Sequence, residues 1–235
     1  MTTRDAIIAR NLADIRRRMA DAASRAGRRA EETRLVAVTK YVSESDIRSL
    51  LAAGVSEIGE SRPQQLRQRA EQLAEAKANW HLIGHWQRNK VRAVLPFVSL
   101  LHAGDSLRLL EAVHEEAMAR GSRLDVLLEV NISRDAAKHG FAPSELEPLL
   151  PRLAELNGIR VRGLMAMSGL ESDSTKTRRE FAAVRELRDQ LRRISPAELS
   201  WDELSLGMSG DFEIGIEEGA TWVRVGSALF EGLEP

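Results

Sequence analysis

The feature of this sequence that most constrains its fold is a regular alternation of short apolar runs with longer amphipathic stretches. The apolar runs are rich in Val, Ile and Leu, as in strands buried on both faces. They occupy residues 35–38, 55–58, 81–83, 98–102, 124–130, 159–164, 203–206 and 222–225. The helical patterns between them cover residues 44–53, 62–76, 88–95, 106–120, 143–156, 175–194 and 211–218. Such alternation predicts a parallel sheet with helices outside it.

Eight strand–helix units predict a closed (β/α)8 barrel of the TIM type, in the α/β class, with an open doubly wound sheet as the alternative. An extra amphipathic helix precedes the first strand, because apolar residues from Ile7 to Met19 recur at helical spacing and Gly27 ends the pattern. A chain of 235 residues is near the lower size limit of such barrels. We therefore predict one domain over residues 1–235, with residues 1–27 as a helix packed on the barrel.

Charge and cysteine content narrow the classes of function. The 34 Lys and Arg residues are balanced by 35 Asp and Glu residues, which leaves no basic surface typical of nucleic-acid or membrane binding. The chain has no cysteine, so disulfides, thiolate metal sites and a cysteine nucleophile are excluded. Its N-terminal segment is charged throughout, and no apolar run reaches the roughly 20 residues of a membrane span. We expect a cytoplasmic protein that binds neither nucleic acid nor membrane.

A lysine stands at the carboxyl end of the first predicted strand, where the active sites of (β/α)8 barrels lie. Lys40 follows the apolar run 35–38, and burial of an ammonium group is costly unless the group is paired or deprotonated. One interpretation is a lysine whose apolar stem lies along the protein while its amine reaches solvent. The other is a lysine that forms a Schiff base with a carbonyl compound. Lys40 alone does not decide between them.

The last two strand-to-helix loops contain small residues that suit a phosphate. Phosphates often bind between the loops after strands seven and eight of such barrels. Ser209 and Gly210 follow the seventh strand, where we predict that the serine caps a short helix, and Gly226 and Ser227 follow the eighth. A closed barrel places these loops beside Lys40. The pattern favours a ligand with both an aldehyde and a phosphate, either pyridoxal 5′-phosphate (PLP) or a phosphorylated sugar bound by a class I aldolase.

Longer segments around these residues resemble one known family. The segments LVAVTK, IGE, WHLIGHWQRNK, VNISRDAAKHGF, GLMAM and LGMSGDFEIGIEEGATWVRVGSALF are similar, in order and spacing, to those of the pyridoxal phosphate homeostasis proteins, also called the YggS-like or proline synthase co-transcribed family. The resemblance extends from about residue 34 to residue 230. It implies an alanine-racemase-type barrel of PLP fold type III, in which Lys40 holds PLP as an internal aldimine. It also implies a role in intracellular vitamin B6 homeostasis, by buffering or delivering the cofactor.

The resemblance also implies which other residues contact the cofactor. They are Met165, Ser209, Gly210, Arg224, Gly226 and Ser227. Arg224 is expected to face either the phosphate or the pyridine nitrogen; a cation at the nitrogen weakens the ring as an electron sink, which suits a carrier better than an enzyme.

The chain departs from the family pattern after the second strand. The family usually has Gly-Glu-Asn where this chain has Gly59-Glu60-Ser61. Ser61 offers one hydroxyl in place of an amide, so a direct contact with the cofactor ring is lost or bridged by water. We keep Ser61 as a cofactor-binding residue, and the substitution leaves open a scaffold that has lost the cofactor.

The sequence does not decide whether this protein catalyses a reaction. Racemases of this barrel type use the lysine and a tyrosine from a second, β-rich domain. The single tyrosine here, Tyr41, follows Lys40 directly, and on a continuing strand it would point away from the lysine. We expect a PLP carrier without catalytic residues, with a racemase or decarboxylase as the alternative. We also expect a monomer that contacts PLP-dependent apoenzymes transiently. Lys138 is first interpreted as a solvated loop lysine, with reception of the aldehyde during transfer as the alternative.

The histidines give no prediction of a metal site. His81 and His85 have the spacing H-x-x-x-H, but they lie where a strand enters a loop, and the glutamate of the zinc-protease motif is absent. We expect His81 to be hydrogen-bonded inside the barrel, His85 to lie near its mouth, and no metal to be bound.

Overall fold

A closed parallel barrel forms the centre of the protein. The computed structural model describes residues 3–133, 139–169 and 172–233. The strands in these residues are β1 Arg34–Val38, β2 Glu57–Glu60, β3 Asn79–Leu82, β4 Leu100–Gly104, β5 Leu124–Val130, β6 Ile159–Ala166, β7 Glu203–Ser205 and β8 Trp222–Val225. Each strand pairs with the next, and β1 also pairs with β8, which closes the barrel. The predicted (β/α)8 barrel is confirmed, and the open-sheet alternative is wrong.

Helices follow the strands and cover the outside of the barrel. They are α1 Thr3–Arg25, α2 Glu44–Ala52, α3 Pro63–Gln72, α4 Val91–Val94, α5 Leu107–Ala119, α6 Pro143–Glu155, α7 Ser174–Ile194 and α8 Phe212–Glu217. The helix predicted over 88–95 is reduced to α4 between two 3₁₀ turns, and Pro96 in the second turn has no N–H with which to continue an α-helix. Across the described residues, no helix combines the length and apolar character that a membrane span needs.

Strand β2 begins two residues later than the sequence predicts, as β4 also does. Pairing with β3 runs from Glu57 opposite Asn79 to Glu60 opposite Leu82. Charged residues are tolerated at both ends of β2 because their carboxylates are hydrogen-bonded. Glu57 accepts hydrogen bonds from the side chains of Asn79 and His81. The polar interior of this barrel, and not an apolar pattern alone, therefore sets the register.

The predicted N-terminal helix is present as α1, which buries one apolar face against α2 and α8 beside the barrel. Its fully buried residues are Ile8, Leu12, Ile15, Met19, Ala22 and Ala23. Arg18 and Arg25 on the flank of the helix form ion pairs with Glu213 and Glu217 of α8. Helix α1 thus covers the seam where the first and last strands meet.

Candidate functional site

A cavity of about 930 Å³ opens where the loops after β1, β2, β7 and β8 meet at the carboxyl ends of the strands. Seven of the eight predicted site residues line it, together with Met167 at the end of β6. These seven are Lys40, Ser61, Ser209, Gly210, Arg224, Gly226 and Ser227. The barrel thus brings together residues that are widely separated along the chain.

The eighth predicted residue, Met165, does not line the cavity. Its side chain is 1% exposed, and it lies in β6 opposite Ser205, the last residue of β7. Side chains on one face of a strand recur at every second residue, so the next methionine on that face, Met167, is the one that reaches the cavity. Of the two methionines in the GLMAM segment, Met167 lines the cavity, and a contact of Met165 with the cofactor stays a prediction.

Lys40 is half-buried and lies in a turn just beyond the last residue of β1, Val38. Its neighbour Tyr41 lines the same cavity, with its ring centre 5.0 Å from Lys40 Nζ. The expectation that Tyr41 points away from the lysine required the strand to continue, and β1 ends at Val38. Strand alternation no longer applies there because β1 has already ended, and the Tyr41 ring is 78% exposed at the rim.

A buried ion pair fixes the backbone on both sides of Lys40. The Arg69 guanidinium donates to the carbonyl oxygens of Thr39 and Val42 at 2.6 and 2.7 Å, and to Glu60 Oε2 at 2.6 Å. The other Glu60 oxygen accepts the N–H of Ser61 at 2.7 Å. Arg69 and Glu60 thus connect the loop that carries Lys40 to the loop that carries Ser61. Sequence reasoning missed both residues, because a contact between two strand-end loops leaves no spacing pattern.

Two backbone N–H groups converge on one oxygen at the wall formed by the last two loops. Ser209 Oγ accepts hydrogen bonds from Gly226 N at 3.1 Å and Ala228 N at 3.4 Å. A Cβ atom added to Gly210 would meet nothing within 4 Å, so the wall is open there. Convergent backbone N–H groups in flexible loops are a common arrangement for binding anions.

The prediction that Ser209 caps the helix after β7 is wrong. The residue before α8 is Asp211, and its carboxylate accepts hydrogen bonds from the Met208 N–H and the Ser168 hydroxyl. Because Asp211 stabilises this turn, the hydroxyl of Ser209 is directed instead to the loop after β8.

A buried guanidinium lies at the inner end of the cavity. Arg224 is 3% exposed and donates to Ser205 O at 2.8 Å, to Ser205 Oγ, and to Ala166 O at 3.1 Å. Burial lowers the pKa of Arg224 to about 10, although the charges of Glu129 and Asp211 act to raise it. The group therefore remains cationic at neutral pH.

A chain of hydrogen bonds, which we call the barrel relay, continues from Arg224 through the interior. Ser205 Oγ lies 2.8 Å from His102 Nδ1, His102 Nε2 lies 2.9 Å from His81 Nδ1, and His81 Nε2 lies 2.7 Å from Glu57 Oε2. A neutral His102 has one donor and one acceptor nitrogen, so it can hydrogen-bond to both Ser205 and His81 along this path to the Glu57 carboxylate.

Burial and charge set the protonation of two members of the barrel relay, His102 and Glu57. Burial, followed by the positive charges of neighbouring groups, lowers the pKa of His102 well below its usual value, so its imidazole is neutral. Burial alone would raise the pKa of Glu57, but hydrogen bonds from His81 and Asn79 outweigh it and lower that pKa. The predicted hydrogen-bonded role of His81 inside the barrel is confirmed.

Comparison with known proteins identifies the family. Residues 10–234 match the family model of the alanine racemase N-terminal domain. A protein of Pseudomonas aeruginosa named pyridoxal phosphate homeostasis protein is 38% identical over 223 residues, covering 95% of this chain and 94% of the relative. The chain belongs to the pyridoxal phosphate homeostasis protein family. The protein of the same name from Escherichia coli K12 is 36% identical over 226 residues, 95% of each chain.

A solved structure of this family extends the comparison to three dimensions. The structure of PipY from Synechococcus elongatus PCC7942, with PLP bound, is 33% identical to this chain. It superposes with a TM-score of 0.85 over 95% of this chain and 99% of PipY. The predicted resemblance is confirmed in both sequence and fold.

Two predicted residues, Ser61 and Lys138, need separate description. Ser61, which replaces the asparagine expected in this family, packs closely beneath Gly84, where an added Cβ would come within 2.4 Å of the Ser61 carbonyl oxygen. The close packing holds the Ser61 loop at the cavity. Lys138, the candidate for receiving the aldehyde, lies outside the described residues.

Proposed function

We propose that this protein binds PLP covalently through Lys40 and acts in PLP homeostasis, buffering the cofactor and delivering it to other proteins. The observation that carries the proposal is the composition of one cavity, which holds the Lys40 amine, the convergent N–H groups beside Ser209, and the buried cation of Arg224. Bound PLP supplies an electrophilic aldehyde on a phosphorylated pyridine ring. The names of the relatives and the PLP-bound PipY structure support the same cofactor.

The residues present fit each part of that cofactor. Ser209, Gly210, Gly226 and Ser227 offer hydroxyl and backbone donors to a phosphate, on loops where an anion oxygen can replace the Ser209 hydroxyl at the N–H groups. The loop carrying Lys40 follows β1, which is the strand paired with β8. An amine and a phosphate site on neighbouring loops suit a ligand that carries an aldehyde and a phosphate on one ring.

The cation of Arg224 favours holding the cofactor over turnover. Its guanidinium is fixed by Ser205 and Ala166 and keeps its proton. At the pyridine nitrogen such a cation leaves the nitrogen without a proton of its own, which weakens the ring as an electron sink. At the phosphate it adds charge-assisted binding. Both positions strengthen binding without assisting catalysis.

The proposed delivery needs an accessible site and transient partners. The cavity is open at the rim, where Tyr41 is 78% and Met208 39% exposed. Exposed apolar side chains around a ligand site are typical of protein contact surfaces. In this proposal the protein is a cytoplasmic monomer whose rim contacts PLP-dependent apoenzymes briefly during transfer.

A transfer assay tests this function. PLP-loaded protein is mixed with the apo form of a PLP-dependent enzyme in the presence of a scavenger that consumes free PLP, and the recovered enzyme activity is followed. We expect more enzyme activity to be recovered with the PLP-loaded protein than with the same amount of free PLP in the presence of the scavenger. Recovery no faster than spontaneous release of PLP from the carrier would contradict delivery by contact.

The position of Tyr41 favours a second candidate, a PLP-dependent enzyme. Its ring lies at the cavity beside Lys40, so a phenol is available as an additional acid or base. Chiral analysis of single amino acids incubated with the PLP-loaded protein tests this candidate. Racemisation by the wild type that is lost in Tyr41→Phe would favour the enzyme over the carrier. If no amino acid is changed, the result supports the carrier.

A further inference from the structure

Three side chains with metal-binding atoms meet at the barrel mouth, outside the cavity described above. His85 lies in the loop after β3, Asp105 directly after β4, and His139 before Gly140 in the loop after β5. One nitrogen or oxygen atom from each lies within 4.8 Å of the other two. Since the three residues come from three separate loops, they form no sequence motif.

The two imidazoles are exposed, and the carboxylate is not. The side chain of His85 is 48% exposed and that of Asp105 is 4% exposed, with His85 Nδ1 2.5 Å from Asp105 Oδ2. The rings of His85 and His139 are stacked, with centres 4.6 Å apart and planes 13° from parallel. The buried Asp105 carboxylate is thus held in place, whereas the exposed imidazole rings beside it can rotate.

We propose that His85, Asp105 and His139 bind a divalent transition-metal ion at this mouth. Two imidazoles and one carboxylate are ligands typical of Zn²⁺, Co²⁺ and Ni²⁺, and a three-residue set leaves further positions open to water. The Ser106 hydroxyl donates to Asp105 Oδ1 at 2.9 Å, which orients the carboxylate from behind.

The geometry needs only a small adjustment. Metal–ligand bonds of about 2.0–2.2 Å place neighbouring ligand atoms roughly 3.3 Å apart. The present separations reach 4.8 Å at most. Rotation of exposed imidazoles about their terminal torsions is soft, so the two stacked rings can tilt until their nitrogens converge on one ion. The proposal depends neither on Lys40 nor on PLP.

Titration of the full-length protein, prepared without an affinity tag or added cofactor, tests the proposal with the metal alone. Zn²⁺ binding is followed by calorimetry, and Co²⁺ binding by its visible absorption. We expect one ion per chain in the wild type and binding weaker by at least about tenfold in His85→Ala and in His139→Ala. His114→Gln on α5 is the matched histidine control and should bind as the wild type does.

A second readout separates a specific site from loose surface binding. An ion bound only by the folded state raises the melting temperature, so Zn²⁺ should stabilise the wild type and His114→Gln but not His139→Ala. Both replaced ligand histidines are exposed, so these variants should fold. The absence of binding to wild type at millimolar Zn²⁺, or equal binding by all four proteins, would overturn the proposal.

Discussion

At the scale of single residues, the position of Lys40 depends on partners that do not line the cavity. The Arg69 guanidinium holds the carbonyl groups on either side of Lys40, and its charge compensates the fully buried Glu60. Removal of one partner from a buried ion pair leaves an uncompensated charge, which is more costly than replacement of both. Arg69 is therefore a positioning residue for the proposed site.

We predict that Arg69→Met lowers the free energy of unfolding by about 3–5 kcal/mol, because Glu60 is left buried and unpaired. Arg69→Lys keeps the charge but loses the planar fork that spans Thr39 and Val42, so its loss should be smaller. Urea unfolding of the three proteins gives these differences. A methionine variant as stable as the wild type would show that the pair does not fix this loop.

We predict that Ser61→Asn tightens PLP binding about two- to tenfold, because it restores the amide expected in this family and adds one net hydrogen bond. The Ser61 side chain lines the cavity, whereas Ser122 lies in the turn after α5, so Ser122→Asn is the matched control. Fluorescence titration with PLP measures both affinities. Unchanged or weaker binding by Ser61→Asn would mean that the serine already serves the cofactor as well as asparagine does.

At the scale of elements, the barrel relay connects five strands through polar side chains. It runs from Arg224 on β8 to Glu57 on β2, through residues of β7, β4 and β3. His102 must be neutral to donate one hydrogen bond and accept the other in its contacts with Ser205 and His81. Protonation of this imidazole would leave two donors facing each other, so the barrel should lose stability in acid.

We predict that protonation of His102 causes this loss of stability in acid. The unfolded chain binds a proton there near the ordinary pKa of 6.5, whereas in the folded protein burial keeps the pKa well below it. The unfolded state therefore binds more protons below pH 6.5, and stability falls as the pH drops. Between about pH 7.5 and about pH 5.5 this group should remove about 1.4 kcal/mol from the free energy of unfolding.

Denaturant unfolding of the wild type and His102→Gln at both pH values measures this contribution. The glutamine amide can still donate to His81 Nδ1 but does not titrate. We expect a smaller pH-dependent loss in the variant, by the amount stated above. Equal pH dependence in the two proteins would place the titrating group elsewhere.

At the scale of the whole molecule, the sequence predicted the architecture because each strand and helix carries its own periodicity. It predicted the cavity because parallel strands all end at one mouth. It failed where a strand end decides the outcome: β1 ends before Tyr41, and Asp211 takes the capping position predicted for Ser209. It did not reveal Arg69 or the partners of His81, since contacts between distant strands leave no local pattern.

We predict that α1 and the barrel unfold together as one domain over residues 1–235. Leu12 lies on the buried face of α1 and is 2% exposed, so Leu12→Ala should lower the free energy of unfolding by about 2–5 kcal/mol. Ile194→Ala, at a side chain 47% exposed, is the control and should cost less than about 1 kcal/mol. Calorimetry should show one transition that moves as a whole in Leu12→Ala. A separate early transition would identify α1 as an independent unit.

The central claim is that Lys40 holds PLP covalently, and one measurement tests it most directly. Protein incubated with PLP is reduced with borohydride, which makes the bond to the lysine permanent, and the modified peptide is identified by mass spectrometry. Lys40→Arg is compared with Lys90→Arg, which alters a lysine in the loop after β3. We predict PLP on the peptide containing Lys40 in wild type and in Lys90→Arg, and much less bound PLP in Lys40→Arg, with none on the peptide that contains residue 40. Equal modification of Lys40→Arg, or none of the wild type, would contradict the account.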